Sequence, residues 1–199
     1  MLIDGGANVD CRPEMLAQFG MMGAAYMKNV MGIENPRVGL ANVGTEDHKG
    51  DQLRQESLAL LRQCPGIQFV GNVEAREAVY GEVDVIVSDG YSGNIFLKTM
   101  EGTGGFMAKQ LKAMFKKNLL TKLAAVLVSG GLRDFKKMMD AGEVGGTPLI
   151  GISKPVIKAH GSSDAFAIKN AIRQAQSFAA SGIIEDITEN IDHMRLRSE

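Results

Sequence analysis

Val83-Asp84-Val85-Ile86-Val87-Ser88-Asp89-Gly90-Tyr91-Ser92-Gly93-Asn94 is the stretch that decides the fold. The β-branched run Val83–Val87 predicts a buried strand. Ser88-Asp89-Gly90 breaks it, and Gly90 is expected to supply a backbone conformation of positive φ. A helical pattern starts near Ser92 and runs on through Ile95-Phe96-Leu97. Strand, glycine-bearing turn and helix start put polar side chains at the carboxyl end of a strand, where open α/β sheets bind ligands. The free N–H groups of the new helix favour an anion at the same place. An ordinary βα loop with a capping Ser or Asn shares this pattern, so its neighbours must carry the argument.

Working outward, the same alternation recurs. Leu2–Asp4 ends a strand, and Gly5-Gly6-Ala7-Asn8-Val9-Asp10 forms its loop. Pro13 suits the first turn of a helix that runs to about Met31. Arg37–Asn42 is a second strand, broken at Val43-Gly44-Thr45-Glu46-Asp47-His48-Lys49-Gly50. From Asp51 to about Cys64 a helix carries Leu53, Leu58 and Leu61 on one side. Ile67–Val70 is a third strand, ending in Gly71-Asn72-Val73-Glu74 before a short helix over Ala75–Tyr80.

Beyond the deciding stretch, a long helical region covers Ser92 to about Phe115. Gly102, Gly104 and Gly105 predict a kink or close backbone packing in it. Helices over Leu119–Val128 and Leu132–Met139 follow. Pro148–Ile152 reads as a late strand, and Pro155–Ala159 is expected to extend the sheet. The loop His160-Gly161-Ser162-Ser163-Asp164 starts a helix from Ala165 to about Ala180. A final helix from Ile184 carries Ile187, Ile191 and Met194.

This order predicts an α/β protein with a doubly wound, mostly parallel sheet and helices on both faces. The expectation is a single unit over residues 1–199, with a helical protrusion at about 106–139. Right-handed crossovers then bring every strand's carboxyl end to one edge. The loops at Gly5–Asn8, Gly44–Gly50, Gly71–Glu74, Asp89–Asn94 and His160–Ser163 are expected to meet there.

Composition narrows the partners. With 45% hydrophobic and 23% charged residues, the chain can build the core of an α/β domain. A net charge of −1 gives no case for bulk nucleic-acid binding. Two cysteines and no leader-like segment point to a reducing cytoplasm. No apolar run approaches the ~20 residues of a membrane span.

The expected rim offers Asn8, Thr45, Glu46, Lys49, Asn72, Asp89, Asn94, His160, Ser162 and Ser163. Its glycines, Gly90 included, let backbone N–H groups turn inward as anion-binding nests. Lys49 adds a point charge suited to phosphate, or is a solvated loop charge. Ser162 and Ser163 stand at a helix start and can hold an oxyanion, or Ser163 is a plain N-cap. Asp89 can bind, orient or cap. Cys11 is a candidate thiolate nucleophile with no triad legible around it, and His48, His160 and His193 lack metal-ligand spacing, so no metal is expected.

Leu119–Val128 has one charge in ten residues. Lys109, Lys112, Lys116, Lys117 and Lys122 surround Leu119, Leu120 and Leu123. Such a basic, apolar helical pair serves as a dimer interface, a membrane-surface element, a dock for an acidic partner, or a core helix.

Taken together, five stretches resemble the bacterial phosphate acyltransferase (PlsX) family of phospholipid synthesis. They are Leu2–Asp10, Val38–Glu46, Gly71–Glu74, Asp89–Asn94 and Val156-Ile157-Lys158-Ala159-His160-Gly161-Ser162-Ser163-Asp164, in the family's order and spread over nearly the whole chain. Ala41 stands where the family more often has Leu. The family also has an N-terminal half, with Asp-Ala-Met-Gly-Gly-Asp and Ala-Gly-Asn-Thr-Gly-Ala motifs that are not found here, so the chain is expected to be a C-terminal part. The resemblance implies a fold similar to isocitrate dehydrogenase and phosphotransacetylase. It implies that acyl-carrier-protein thioester and inorganic phosphate give acyl phosphate and free carrier protein. It implies a homodimer that touches the membrane from the cytoplasm, and no cofactor. Lys49 would bind phosphate or developing charge, and Asn94 would donate to the oxyanion or orient phosphate. Asn8, Thr45, Glu46, Asp89, Gly90, His160, Ser162 and Ser163 would complete the pocket, and Lys116, Lys117, Leu119, Leu120, Lys122 and Leu123 would meet membrane, partner protomer or carrier protein. Methionine-rich helices would supply an apolar groove for the acyl chain. A coenzyme A-dependent phosphotransacetylase and a non-catalytic docking piece are the other readings.

Overall fold

Short β-branched runs and amphipathic segments alternate from the first residues, and the chain lays four of those runs side by side. The computed structural model describes residues 1–138 and 143–190. Strands β1 (Leu2–Ile3), β2 (Arg37–Asn42), β3 (Gln68–Glu74) and β4 (Val85–Val87) form a parallel sheet in the order β1-β4-β2-β3. The deciding strand therefore lies inside the sheet, with Ile86 opposite Leu2 on one side and Gly39 on the other. Its carboxyl end faces the same edge as those of the other three strands.

Alternation sorts the strand side chains onto two faces. Ile3, Val38, Leu40, Val85 and Val87 share a face with helices α1 (Pro13–Asn29) and α2 (Gln52–Leu61). Val38, Leu40, Val85 and Val87 are fully buried there, with Leu16 and Ala17 of α1 and Leu61 of α2. Each such aliphatic side chain contributes roughly 1.5–3 kcal/mol by leaving water. Close approach needs Gly23, because a Cβ on it would lie 2.5 Å from Val85 Cγ1. The opposite face carries Val73, Val83 and Ile86, packed with Leu2, Ala41, Ala78 and Phe96. Ala78 belongs to α3 (Ala75–Ala78) and Phe96 to α4 (Gly90–Lys116). Helices thus stand on both faces of a parallel sheet, as the alternation predicts.

The chain divides into two compact units. The first holds residues 1–96, 149–155 and 176–190, including the sheet and α8 (Ile183–Glu189). Ile183 is buried, and Asn29 Nδ2 donates to Asp186 Oδ2 at 2.7 Å, tying α8 to α1. The second unit holds residues 97–138, 143–148 and 156–175. It contains most of α4, then α5 (Leu119–Leu127), α6 (Ser129–Met138), the hairpin β5 (Thr147–Pro148) with β6 (Ile157–Lys158), and the start of α7 (Ala165–Ala180).

Several expectations are corrected. Residues 83 and 84 precede β4, because Asp84 is turned towards Arg37, whose N–H and Nε both donate to Asp84 Oδ2. The third strand does not stop at Val70. Gly71, at φ +97, absorbs a register shift against β2, and pairing resumes through Asn72, Val73 and Glu74. The long helix runs unbroken through Gly102 and Gly105, where an added Cβ would meet nothing within 4 Å. The late strands pair antiparallel with each other and do not join the parallel sheet. No residue of α5 is buried, which removes the core-helix reading. Ile191 and Met194, Met139 of the expected 132–139 helix, and His193 lie outside the described residues.

Gly90 also takes a different role. It is the first residue of α4 and is not among the glycines of positive φ. A Cβ on Gly90 would lie 2.3 Å from Asn8 O, and one on Gly93 would lie 1.9 Å from Asp4 O. Both glycines are there because the β1 loop runs across the helix start. Gly93→Ala should therefore lower Tm by about 5 °C or more, since the backbone it strikes cannot turn aside. Gly102→Ala should raise Tm by about 2–4 °C, through helix propensity alone. Thermal unfolding of the two variants beside the parent reads both.

Candidate functional site

At the end of β1 a single buried carboxylate organises the loop. Asp4 Oδ1 accepts from the N–H of Gly6 at 2.7 Å and of Ala7 at 2.8 Å. Oδ2 accepts from Asn8 N–H at 2.6 Å and from Asn8 Nδ2 at 2.8 Å. Gly6, at φ +126, gives the loop its curl. Burial opposes ionisation of Asp4, yet the hydrogen bonds from Ala7, Asn8 and Gly6 outweigh it and hold the carboxyl below its ordinary range. The nest expected to receive an outside anion is thus filled by the chain's own aspartate. Sequence reasoning used Asp4 only as a strand end and missed it. An Asp followed within four residues by two glycines and an Asn is the signal that was there to use.

The next strand repeats the device. Asp89 Oδ1 accepts from Ser92 N–H at 2.8 Å, so Asp89 caps α4. Its other oxygen meets Arg54 Nη2 in an ion pair, with the two side chains 15% and 7% exposed for Arg and Asp. Arg54 Nη2 also donates to Ser92 Oγ at 2.9 Å. Burial raises the Asp89 carboxyl, but hydrogen bonds from Ser92 and the Arg54 charge bring it below its ordinary value. Gly90 N–H donates to Asn8 O at 2.9 Å, and Asp4 N–H donates to Ser88 O at 2.9 Å. Asn94 Nδ2 donates to Gly5 O at 3.2 Å. The structure therefore brings Asn8, Asp89, Gly90 and Asn94 together, with Asp89 and Gly90 buried and Asn8 and Asn94 exposed. Arg54 was missed, because nothing in a helix pattern marks which arginine turns inward.

The β2 loop supplies the cation. Lys49 is half-buried, and Asn42 Nδ2 donates to its carbonyl at 3.1 Å. The ion pairs around the loop join Asp47 to Arg62 and Asp51 to Arg54, and leave Lys49 out. Thr45 and Glu46 are exposed, and the Glu46 carbonyl accepts from Asn72 Nδ2 at 3.0 Å. Asn72 is no rim residue. It is buried within β3, opposite Leu40, and secures the Glu46 turn from below. Cys11 Sγ donates to Asn8 O at 3.3 Å, and burial with nearby carboxylates pushes its thiol pKa up, which opposes a thiolate role.

His160, Ser162 and Ser163 belong to the second unit. There His160 Nδ1 lies 2.6 Å from Ser162 Oγ. Asp164, not Ser163, caps α7, its Oδ1 accepting from Ala167 N–H at 2.9 Å. A carboxylate one residue nearer the helix wins the cap. The loop does not follow a strand of the parallel sheet, because β6 is antiparallel. In the same unit Lys116, Lys117 and Lys122 are exposed beside Leu119, Leu120 and Leu123, which are 74%, 77% and 57% exposed.

On the first unit's second sheet face lies a cleft of about 370 Å³. Leu2, Ala41, Val73, Ala78, Ile86 and Phe96 belong to its apolar lining, and Asn42, Asp51, Arg54, Glu74, Ser88 and Ser92 are its polar lining. The Ser88 hydroxyl is buried without a hydrogen-bond partner. Among the described residues no group of three or more His, Cys, Asp or Glu side chains could hold a metal ion, and no helix is long and apolar enough to cross a membrane.

A parallel sheet with helices on both faces, its carboxyl edge carrying Lys49 outside the ion pairs of its loop and two further loops locked by aspartates, belongs to the class of α/β folds that gather polar loops at one edge. The family model described as fatty acid synthesis protein matches residues 1–186, and the chain belongs to that family. Curated relatives named phosphate acyltransferase are similar to it. The one from Geobacillus sp. (strain WCH70) is 49% identical over 192 residues, 96% of this chain and 58% of the relative. Those from Lysinibacillus sphaericus and Anoxybacillus flavithermus are 46% and 47% identical, each over 98% of this chain and 59% of the relative. The chain thus spans under two thirds of the length of these relatives.

Both aspartates ionise more readily folded than unfolded. Their contribution to stability is complete above the unfolded carboxyl value of about 3.9 and is lost as pH falls through the lowered folded values. Tm should be flat between pH 7 and about 5 and drop below about 4. Asp4→Asn, which leaves N–H donors facing an amide, should cost roughly 2–3 kcal/mol at pH 7 and flatten the acid limb, as melting across pH would show.

Proposed function

We propose that this chain carries the rim of a phosphate acyltransferase that moves a long acyl group from acyl-carrier-protein thioester to inorganic phosphate, feeding phospholipid synthesis. The observation that carries the reading is Lys49, a half-buried cation outside the ion pairs of its loop, set at a sheet edge where the other βα loops are already locked. A phosphate oxygen attacks the thioester carbonyl carbon, the C–O bond forms, and the C–S bond breaks with the thiolate leaving. Phosphate is nucleophilic at neutral pH and a thiol leaves readily, so the work is positioning and oxyanion stabilisation. No cofactor enters this balance.

In this reading Lys49 binds phosphate and the developing charge. Asn94 spends one amide N–H on Gly5 O and has a second for the oxyanion. Asn8 is arranged alike, with one N–H on Asp4. Thr45 and Glu46 border Lys49, while Asp89 and Gly90 hold the frame and do not touch phosphate. The acyl chain takes the cleft lined by Leu2, Val73, Ile86 and Phe96, whose lining contains no methionine. That replaces the methionine-rich groove.

Exposed leucines with flanking lysines support a role for α5 at an acidic lipid surface on the cytoplasmic face of the membrane. Acyl carrier protein and a second protomer of a homodimer are the further proposed partners.

The test is phosphate-dependent loss of long-chain acyl-carrier-protein thioester. The chain is assayed alone and together with the portion of the Geobacillus relative that it does not match. Lys49→Ala and Asn94→Ala should each lower the rate by ~10² or more. Rates untouched by both substitutions would move the site elsewhere, and faster turnover of coenzyme A thioester would favour the phosphotransacetylase reading. Leu119→Glu with Leu123→Glu should reduce sedimentation with anionic vesicles by ~10-fold or more and leave neutral-vesicle controls unchanged. Vesicle binding with no turnover in any mixture would favour a docking piece.

A further inference from the structure

Lys49 stands on the loop after β2 and Asn94 in the first turns of α4 after β4, and they act on one substrate only if something sets the spacing between them. The structure contains one continuous set of contacts that does so. Lys49's loop is bound to two elements, Asn42 Nδ2 at the end of β2 reaching the Lys49 carbonyl and Gln55 Nε2 of α2 reaching the carbonyls of His48 at 3.1 Å and Gly50 at 3.2 Å. Gly50, at φ +86, lies so close that a Cβ on it would be 2.8 Å from Arg54 Cβ. Asp51 caps α2 through Arg54 N–H at 3.0 Å and accepts Arg54 Nη1 at 2.9 Å. The other end of the same guanidinium holds Asp89 and Ser92 at the start of α4, two residues before Asn94.

We propose that Arg54 is a positioning residue that sets the spacing of the Lys49 loop from the Asn94 helix. Its kinetic consequence rests on the acyl-transfer reading of the rim, and its structural consequence does not. The chemistry favours arginine over lysine. Asp51 is met by Nη1, and Asp89 and Ser92 by Nη2, of one planar fork, and a single ammonium cannot span all three. Asp89 needs a buried cation beside it, so charge balance and spacing are served by one group and must be separated experimentally.

Arg54→Met, Arg54→Lys and the double variant Arg54→Met with Asp89→Asn provide the separation. The double variant removes both charges and keeps an acceptor oxygen for the Ser92 cap. Arg54→Met should lower Tm by roughly 5–10 °C, because it strands a buried carboxylate. The double variant should recover much of that loss. Catalysis should not follow stability. kcat should fall ~10² in both, with phosphate KM changed less than about threefold, and Arg54→Lys should lie between. Recovery of kcat together with Tm in the double variant would overturn the inference, since Arg54 would then only neutralise Asp89.

A second arm needs no turnover. Nitroxides on His48→Cys and Ile95→Cys, in a background of Cys11→Ser and Cys64→Ala, report the loop-to-helix distance by pulsed electron resonance. One narrow distance is expected with Arg54, and a broadened distribution in both Arg54→Met backgrounds. An unchanged distribution would overturn the inference. A parent that shows the narrow distance yet transfers no acyl group, both alone and with the unmatched portion of the Geobacillus relative added, would defeat the acyl-transfer reading and leave the bridge standing.

Discussion

Everything at the sheet edge depends on how the Asp4 carboxylate is satisfied. A carboxylate buried among backbone atoms must find donors, and it takes three consecutive N–H groups and one side-chain amide from the residues that follow it. That wraps the loop tightly enough to lie across the start of α4. The helix can then begin only with residues that leave room, which are Gly90 and Gly93. Their position places Asn94 beside the loop and Asp89 in the cap. One ionised group thus converts a strand end into a frame that holds two strands, a loop and a helix together.

The second consequence concerns what remains for a ligand. Parallel α/β sheets usually offer outside anions the N–H groups of glycine-rich loops and helix starts. Here Asp4 and Asp89 occupy those positions from within. The side chains left without such internal ion partners include Lys49, and the amides of Asn8 and Asn94 each keep one N–H beyond the one donated to Asp4 and to Gly5 O.

The two faces of the sheet are unequal. On the α1 and α2 face, small residues and fully buried aliphatics close the packing. On the other face, α3 and the first turns of α4 cover Val73, Val83 and Ile86 and leave a cleft beside them. Its lining includes Arg54 and Ser92, the residues that also brace Asp89.

The sequence by itself determined the order of elements, because burial imposes a period of two on strands and about 3.6 on helices, and these periods are local. The strand read over Val83–Val87, found two residues shorter, Arg37–Asn42 and Ala165–Ala180 were legible for that reason, as was the gathering of Asn8, Asp89, Gly90 and Asn94. The tertiary structure decided what periods cannot carry. Whether Gly71 ends a strand or bulges within it depends on the register of β2. Whether Gly90 is needed for its φ or for the carbonyl lying against it depends on Asn8, far away in the chain. Which anion fills a nest depends on whether an aspartate lies within reach. Arg54 is the clearest case, since an arginine on a helix is solvated unless the fold brings two carboxylates to it, and only the parallel sheet brings Asp89 there.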